Sequence, residues 1–337
     1  MSGQNVPYHL RTNKFVERQL FLDALDFVRL WNGPARYVYV SMGGPFLEDF
    51  KEINKRLAIE AMISIEQDEL TWERQKFNCP FGFVRCLNQT AGDFISDFDK
   101  IVTEFDDAKY IVWLDYASSR ERNTQLQEFE SLVGKLVAGD VAKITLNANP
   151  GARFPRSSYS VLTGPQYSTL VATDLEDELG DYVPEGGVDR TKLSEKHFAK
   201  LLAKCVDLAC RRGSENSEFF IEPLISTTYK DGPHQMLTVT AIVLDDRLKE
   251  VKEADAEFAK WEFRSEKWDT ILDIRVPHLS PFERMQVNQI LKSTPNAHII
   301  HRDLGLRFHE KEDISISLLK CYIEHYRRYP SFANVNY

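Results

Sequence analysis

The chain has 337 residues, a formal net charge of −9, 43% hydrophobic residues and 28% charged residues. That length supports one large or two ordinary domains with a real core, in the composition range of folded globular proteins. The acidic surplus excludes broad non-specific DNA binding, which needs a basic surface, and no apolar run of about 18 residues offers a membrane span.

The first 14 residues, MSGQNVPYHLRTNK, lack an apolar signal core, so secretion is not expected. The five cysteines show no CxxC spacing and read as reduced thiols of a cytoplasmic protein. From residue 12, apolar positions Val16, Leu20, Ala24, Phe27 and Trp31 recur at helical spacing, with Thr12 or Asn13 as the cap. NGPA at 32–35 stops this helix. Strand and helix signals then alternate: strand 36–42, helix 45–57, strand 61–66, helix 68–77, strand 82–87, helix 93–106, strand 109–115, helix 121–137 and strand 141–147. The strand runs are apolar on nearly every residue, as parallel strands buried on both faces are. Such alternation predicts a parallel sheet with helices on both faces.

Residues 148–190 are rich in Gly, Pro, Ser and Asp and read as an irregular insertion. A long helix over 193–212 follows. Two strand-like runs, 218–229 and 235–244, are joined by KDGPH, a turn too short for any but an antiparallel pair. Charged residues 245–260 form a linker helix or a solvated connection. Residues 261–337 read as a mainly helical region with 11 Lys/Arg against 10 Asp/Glu.

Chemistry-bearing residues stand at the strand ends. Gly43 and Gly44 follow the first strand in RYVYVSMGGPFLEDF, with Pro45 at the expected first helical position. Glu66, Gln67 and Asp68 end the second strand, and Asp68 equally suits a helix cap. TAGDF at 90–94 places Asp93 after the third strand, where it is either a ligand or a cap. Asp115 and Tyr116 end the fourth. A carboxylate closing an otherwise apolar strand is costly unless it is used or paired. Asn147 and Asn149 follow the fifth strand. Arg153, Arg156, Tyr159 and Tyr167 lie in the insertion, in the position of a substrate loop.

Five α/β units, then a helix and an antiparallel hairpin, resemble the class I S-adenosylmethionine-dependent methyltransferase fold over residues 12–246. The pieces LRTNKFVERQLF, YVYVSMGGPFLEDF, MISIEQDE, RQKFN and IVWLDY are similar to those of a family of bacterial O-methyltransferases. Some such proteins occur near phage-defence genes. The resemblance implies S-adenosylmethionine as cofactor, held by Ser41, Gly43, Gly44, Glu66, Gln67, Asp93 and Asp115. Glu66 would accept hydrogen bonds from the ribose hydroxyls, as acids do at this place in dinucleotide sites. The sequence departs from the family's GxGxG and has only GGP. It also lacks the Asp-Pro-Pro-Tyr of enzymes that methylate exocyclic amines. The resemblance implies O-methylation.

Ribose 2′-O-methyltransferases of this fold carry a Lys-Asp-Lys-Glu tetrad. Lys14, Asp115, Lys143 and Glu222 occur here in that order on the corresponding elements. If assembled, they imply a ribose hydroxyl of RNA or of a nucleotide as acceptor, with a lysine of lowered pKa as base. Otherwise the lysines are surface residues and Glu222 pairs locally. A second reading is a catalytically inactive binding or assembly component of a multi-protein system, such as one for antiviral defence. A Rossmann dehydrogenase is disfavoured by the missing GxGxxG. No metal is expected: His298, His301, His309 and His325 carry no clustered Cys or acid signature. Arg327 and Arg328, among aromatics in CYIEHYRRYPSF, suit either stacking on nucleic acid or packing against protein.

Overall fold

The computed structural model describes residues 11–105 and 107–331. Helix α1 (Thr12–Asn32) leads to strand β1 (Arg36–Ser41), α2 (Glu48–Leu57), β2 (Ala61–Ile65), α3 (Glu69–Asn78), β3 (Val84–Leu87), the short helices α4 (Ala91–Ser96) and α5 (Phe98–Glu104), β4 (Ala108–Asp115), α6 (Arg122–Val133) and β5 (Val141–Asn147). Then come α7 (Gly164–Leu179), α8 (Glu195–Gly213), β6 (Phe220–Asp231), β7 (His234–Leu244), α9 (Asp246–Ala254), α10 (Ala256–Lys260), β8 (Ile271–Ile274), α11 (Pro281–Leu291), α12 (Ala297–Leu304) and α13 (Glu312–His325).

The strands form one sheet in the order β3-β2-β1-β4-β5-β7-β6-β8. β1 pairs in parallel with β2 and β4, β2 with β3, and β4 with β5, while β7 runs antiparallel to β5. This is the expected α/β class I methyltransferase-like sheet, five parallel strands and a terminal antiparallel hairpin, with β8 added at the edge. β8 interrupts the mainly helical reading of 261–337.

The residues divide into two compact units. The larger comprises 21–228 and 233–272. Its strands are apolar on both faces because each face is covered. Val38, Val40, Val112, Leu114, Ile144 and Leu146 pack with Phe94, Phe98, Leu126, Phe129, Leu175 and Phe198 from α4 to α8. Tyr39, Ile111, Trp113 and Val141 pack with Phe21, Leu25 and Val28 of α1, Phe50 and Ile53 of α2, and Leu248 and Phe258 of α9 and α10. The smaller unit takes in the described residues up to Leu20, 229–232, and those from Asp273 on. Within it the Asn13 side chain accepts the Val276 amide (2.9 Å), and the Tyr329 hydroxyl receives the Leu279 amide (2.8 Å).

Several boundaries differ from expectation for local reasons. Pro45 does not start a helix. The chain first turns through Gly44 (φ 53°) and Leu47 (φ 51°), and α2 begins at Glu48. The predicted helix 93–106 breaks into two at Asp97. The segment 148–190 is not wholly irregular. Thr163 and Gln166 form a capping box, a proline sits in the first turn, and α7 runs to Leu179. No described helix is long and apolar enough to cross a membrane.

Candidate active site

Strand order reverses direction around β1: β2 lies to one side and β4 to the other. In open α/β sheets the crevice at such a switch point, beyond the carboxyl ends of the strands, is where ligands bind. The register sets what stands there. Ser41 pairs with Ser64 on one side and Trp113 on the other. Two residues beyond each of these paired positions come Gly43, Glu66 and Asp115, at the carboxyl ends of three neighbouring strands. The ladder to β3 continues at Glu66, because the Glu66 amide donates to Leu87 O (3.1 Å) and the Gln89 amide to Glu66 O (3.1 Å).

The glycine turn is clamped from within the protein. The Gly43 amide donates to Ser64 Oγ (3.3 Å), which donates in turn to Gln75 Oε1 (3.0 Å). Asn78 Nδ2 donates to Pro45 O (2.8 Å). A Cβ at Gly43 would lie 2.4 Å from Leu47 Cδ2, 2.7 Å from Phe50 Cε2 and 2.9 Å from Ser64 Oγ. Gly43 is therefore a packing requirement of the turn. Gly44 supplies the left-handed backbone that swings the chain across the strand ends.

Glu66 is half-buried. Burial raises its carboxyl above the usual range, and the Asp68 amide (2.9 Å) partly offsets this. Asn88 Nδ2 holds the backbone of this strand end through Glu66 O (2.8 Å). Gln67 is exposed. Asp68 caps α3 by accepting the Thr71 amide (2.8 Å), and the Thr71 side chain, with this amide, lowers its pKa. Asp93 is exposed and completes the capping box of α4 with Thr90, so its carboxylate has a structural duty. Ser41 is fully buried, and its Oγ has no protein partner among the described residues; the same holds for Gln89 Oε1. Tyr116, beside Asp115, donates its hydroxyl to Glu128 of α6, and burial raises its pKa strongly.

Of the tetrad candidates, Glu222 does not stand at this rim. Lys143 is fully buried at mid-strand, its Nζ 3.8 Å from the Trp113 ring centre and 3.9 Å from that of Phe21. Glu222 pairs with Lys252 of α9 at 2.6 Å. The Asp115 level runs through Thr145 and Thr238 to Thr227, whose hydroxyl meets that of Thr238 at 2.7 Å. Glu222 lies five residues before Thr227, about 16 Å toward the amino ends of the strands. Lys14 is buried near the start of α1 and belongs to the smaller unit.

Sequence reasoning missed Arg122, the first residue of α6 and only 1% exposed. It donates to Asn147 O (2.8 Å), Ser119 O (2.9 Å), Asn149 O (3.1 Å) and Glu178 (2.7 Å). It ties the loops after β4 and β5 to α7. Arg153 adds a 3.0 Å ion pair to Asp174 of the same helix. Arg156 lies over the Tyr167 ring, and Phe154 meets Tyr159 edge to face. The segment 148–190 is thus an ordered platform beside the carboxyl ends of β4 and β5.

No curated protein matches the chain. Solved structures give loose likenesses. A LepI variant bound to S-adenosylhomocysteine and a substrate analogue is 10% identical, covering 64% of this chain and 46% of that one, at a TM-score of 0.34. DesVI of Streptomyces venezuelae is 15% identical over 40% and 51%, at 0.27. The plantazolicin methyltransferase BpumL, with a substrate analogue and S-adenosylhomocysteine, is 12% identical over 68% and 85%, at 0.37. The chain spans about half the length of the first two. Scores of this size bear on neither substrate nor site. A family profile described as "Putative O-methyltransferase" matches residues 6–337. With nearly the whole chain matched, this protein belongs to that family.

Proposed function

We propose that the protein transfers a methyl group from S-adenosylmethionine to a hydroxyl oxygen, with the cofactor lying across the carboxyl ends of β1, β2 and β4. The observation that carries this reading is that Gly43, Glu66 and Asp115 each follow by two residues the paired positions Ser41, Ser64 and Trp113 at the switch point. The residues present fit the cofactor. Glu66 is a half-buried acceptor suited to two ribose hydroxyls, and Ser41 Oγ and Gln89 Oε1 are buried polar atoms still lacking a partner. When bound, the cofactor supplies an electrophilic methyl group on a sulfonium.

The chain's own part is mostly positional. The clamped turn and Glu66 hold one reactant, and the platform anchored by Arg122 positions the other and excludes water. Holding two reactants in line is worth about 7–11 kcal/mol of barrier at best. Asp115 stands where the acceptor hydroxyl would come and takes its proton as general base, a contribution of about 10²–10⁴-fold. Glu222, paired with Lys252, lends no support to a tetrad and hence none to a ribose acceptor. Oxygen as the acceptor atom rests on the family.

The test is transfer of label from methyl-tritiated S-adenosylmethionine by the full chain to pools of phenols, nucleosides and short RNA, with Asp115→Asn alongside. Label on a hydroxyl oxygen, reduced at least about 100-fold in the variant, supports the proposal. Label on nitrogen would refute it. Tight cofactor binding with no turnover on any pool would favour the assembly-component reading instead.

A further inference from the structure

The end of α13 carries a side-chain cluster in the smaller unit. It reads Cys321-Tyr322-Ile323-Glu324-His325. Spacings of three and four put residues 321, 324 and 325 on one helix face. The Cys321 sulfur, a Glu324 carboxylate oxygen and a His325 ring nitrogen all lie within 4.8 Å of one another, the one such group of His, Cys and acid side chains among the described residues. Cys321 and His325 are buried, and Glu324 is exposed.

We propose that Cys321, Glu324 and His325 form a binding site for a thiophilic divalent cation, zinc by its donor preference. Sulfur, imidazole nitrogen and carboxylate oxygen together are zinc's donor set. The sulfur disfavours magnesium and calcium, which take oxygen ligands. Donor atoms held about 2.0–2.3 Å from a tetrahedral zinc stand about 3.3–3.8 Å apart. The widest pair of the cluster therefore needs to close by about 1 Å. The Arg275 backbone N–H donates to Cys321 Sγ at 3.3 Å, the outer contact that steadies a thiolate ligand. Three protein ligands leave the fourth position to water. The ion would pin the last turn of α13. This site is independent of the cofactor reading.

The experiment is titration of the full, reduced, chelator-treated chain with Co²⁺ alone, followed by absorption, and then displacement by Zn²⁺. One equivalent should give tetrahedral bands in the visible and a sulfur-to-cobalt charge-transfer band in the near ultraviolet. Cys321→Ser should abolish the charge-transfer band. Glu324→Gln, a surface change that leaves circular dichroism unaltered, should weaken Zn²⁺ by about tenfold or more. A folded wild-type chain with no charge-transfer band at saturating Co²⁺ would overturn the proposal. So would a band that survives Cys321→Ser, or a Zn²⁺ affinity untouched by Glu324→Gln.

Discussion

Substituting Gly43 by alanine separates two roles a glycine can play in a cofactor turn. The added methyl would meet Leu47, Phe50 and Ser64 at 2.4, 2.7 and 2.9 Å. Gly43 is not among the positive-φ positions, so backbone strain adds nothing. All three contacts are closer than real Cβ atoms come, and although each is to the end of a side chain, Leu47, Phe50 and Ser64 are fully buried, which leaves little room to yield. Overpacking of this kind costs about 1–3 kcal/mol, and three simultaneous contacts favour the upper half, about 2–3 kcal/mol. At about 2–4 °C per kcal/mol for a unit of this size, Gly43→Ala should lower Tm by about 4–12 °C. Differential scanning calorimetry, run beside S-adenosylhomocysteine binding, reads both effects. If the variant melts with the wild type yet loses binding, the glycine serves ligand approach only, and the clamped turn described above is wrong.

Other substitutions test other parts of the account. Arg122→Ala should cost about 3–5 kcal/mol in chemical denaturation, because it leaves Glu178, whose side chain is 4% exposed, with only Arg153 at 4.0 Å as a cation. Glu222→Gln should leave turnover within about twofold and stability within about 1 kcal/mol, since the Glu222 side chain is itself 32% exposed and stands about 16 Å from the Asp115 level; a large loss of turnover would support the tetrad. Cofactor affinity should fall with acidity from above the ordinary Glu range. Burial raises the Glu66 pKa, so the carboxylate that accepts the ribose hydroxyls is lost as pH drops through that raised value. Binding measured across pH should show this slope in the wild type and not in Glu66→Ala.

The sheet was legible because buried parallel strands announce themselves. The run VAKITLN is apolar or small at almost every step, and the strand spans Val141–Asn147 as predicted. The placement of Gly43, Glu66 and Asp115 at the ends of neighbouring strands was half-legible. Each residue marks a strand end, but their pairing is a property of register, which local sequence does not carry. The same limit hid the place of Glu222, since nothing local says that it enters β6 at the amino rim. Helix α7 was masked by Gly, Pro, Ser and Thr, all poor helix formers, although T-x-x-Q at 163–166 was a start signal. Arg122 could not be singled out, because a buried arginine looks like an exposed one until the carbonyls around it are in place.

The most direct test of the central claim is a calorimetric titration of the purified chain with S-adenosylmethionine and S-adenosylhomocysteine, beside Glu66→Ala. The account predicts one site of about micromolar affinity, a binding free energy near −8 kcal/mol, weakened at least tenfold in the variant. No heat at millimolar ligand, or an affinity unchanged by Glu66→Ala, would contradict it.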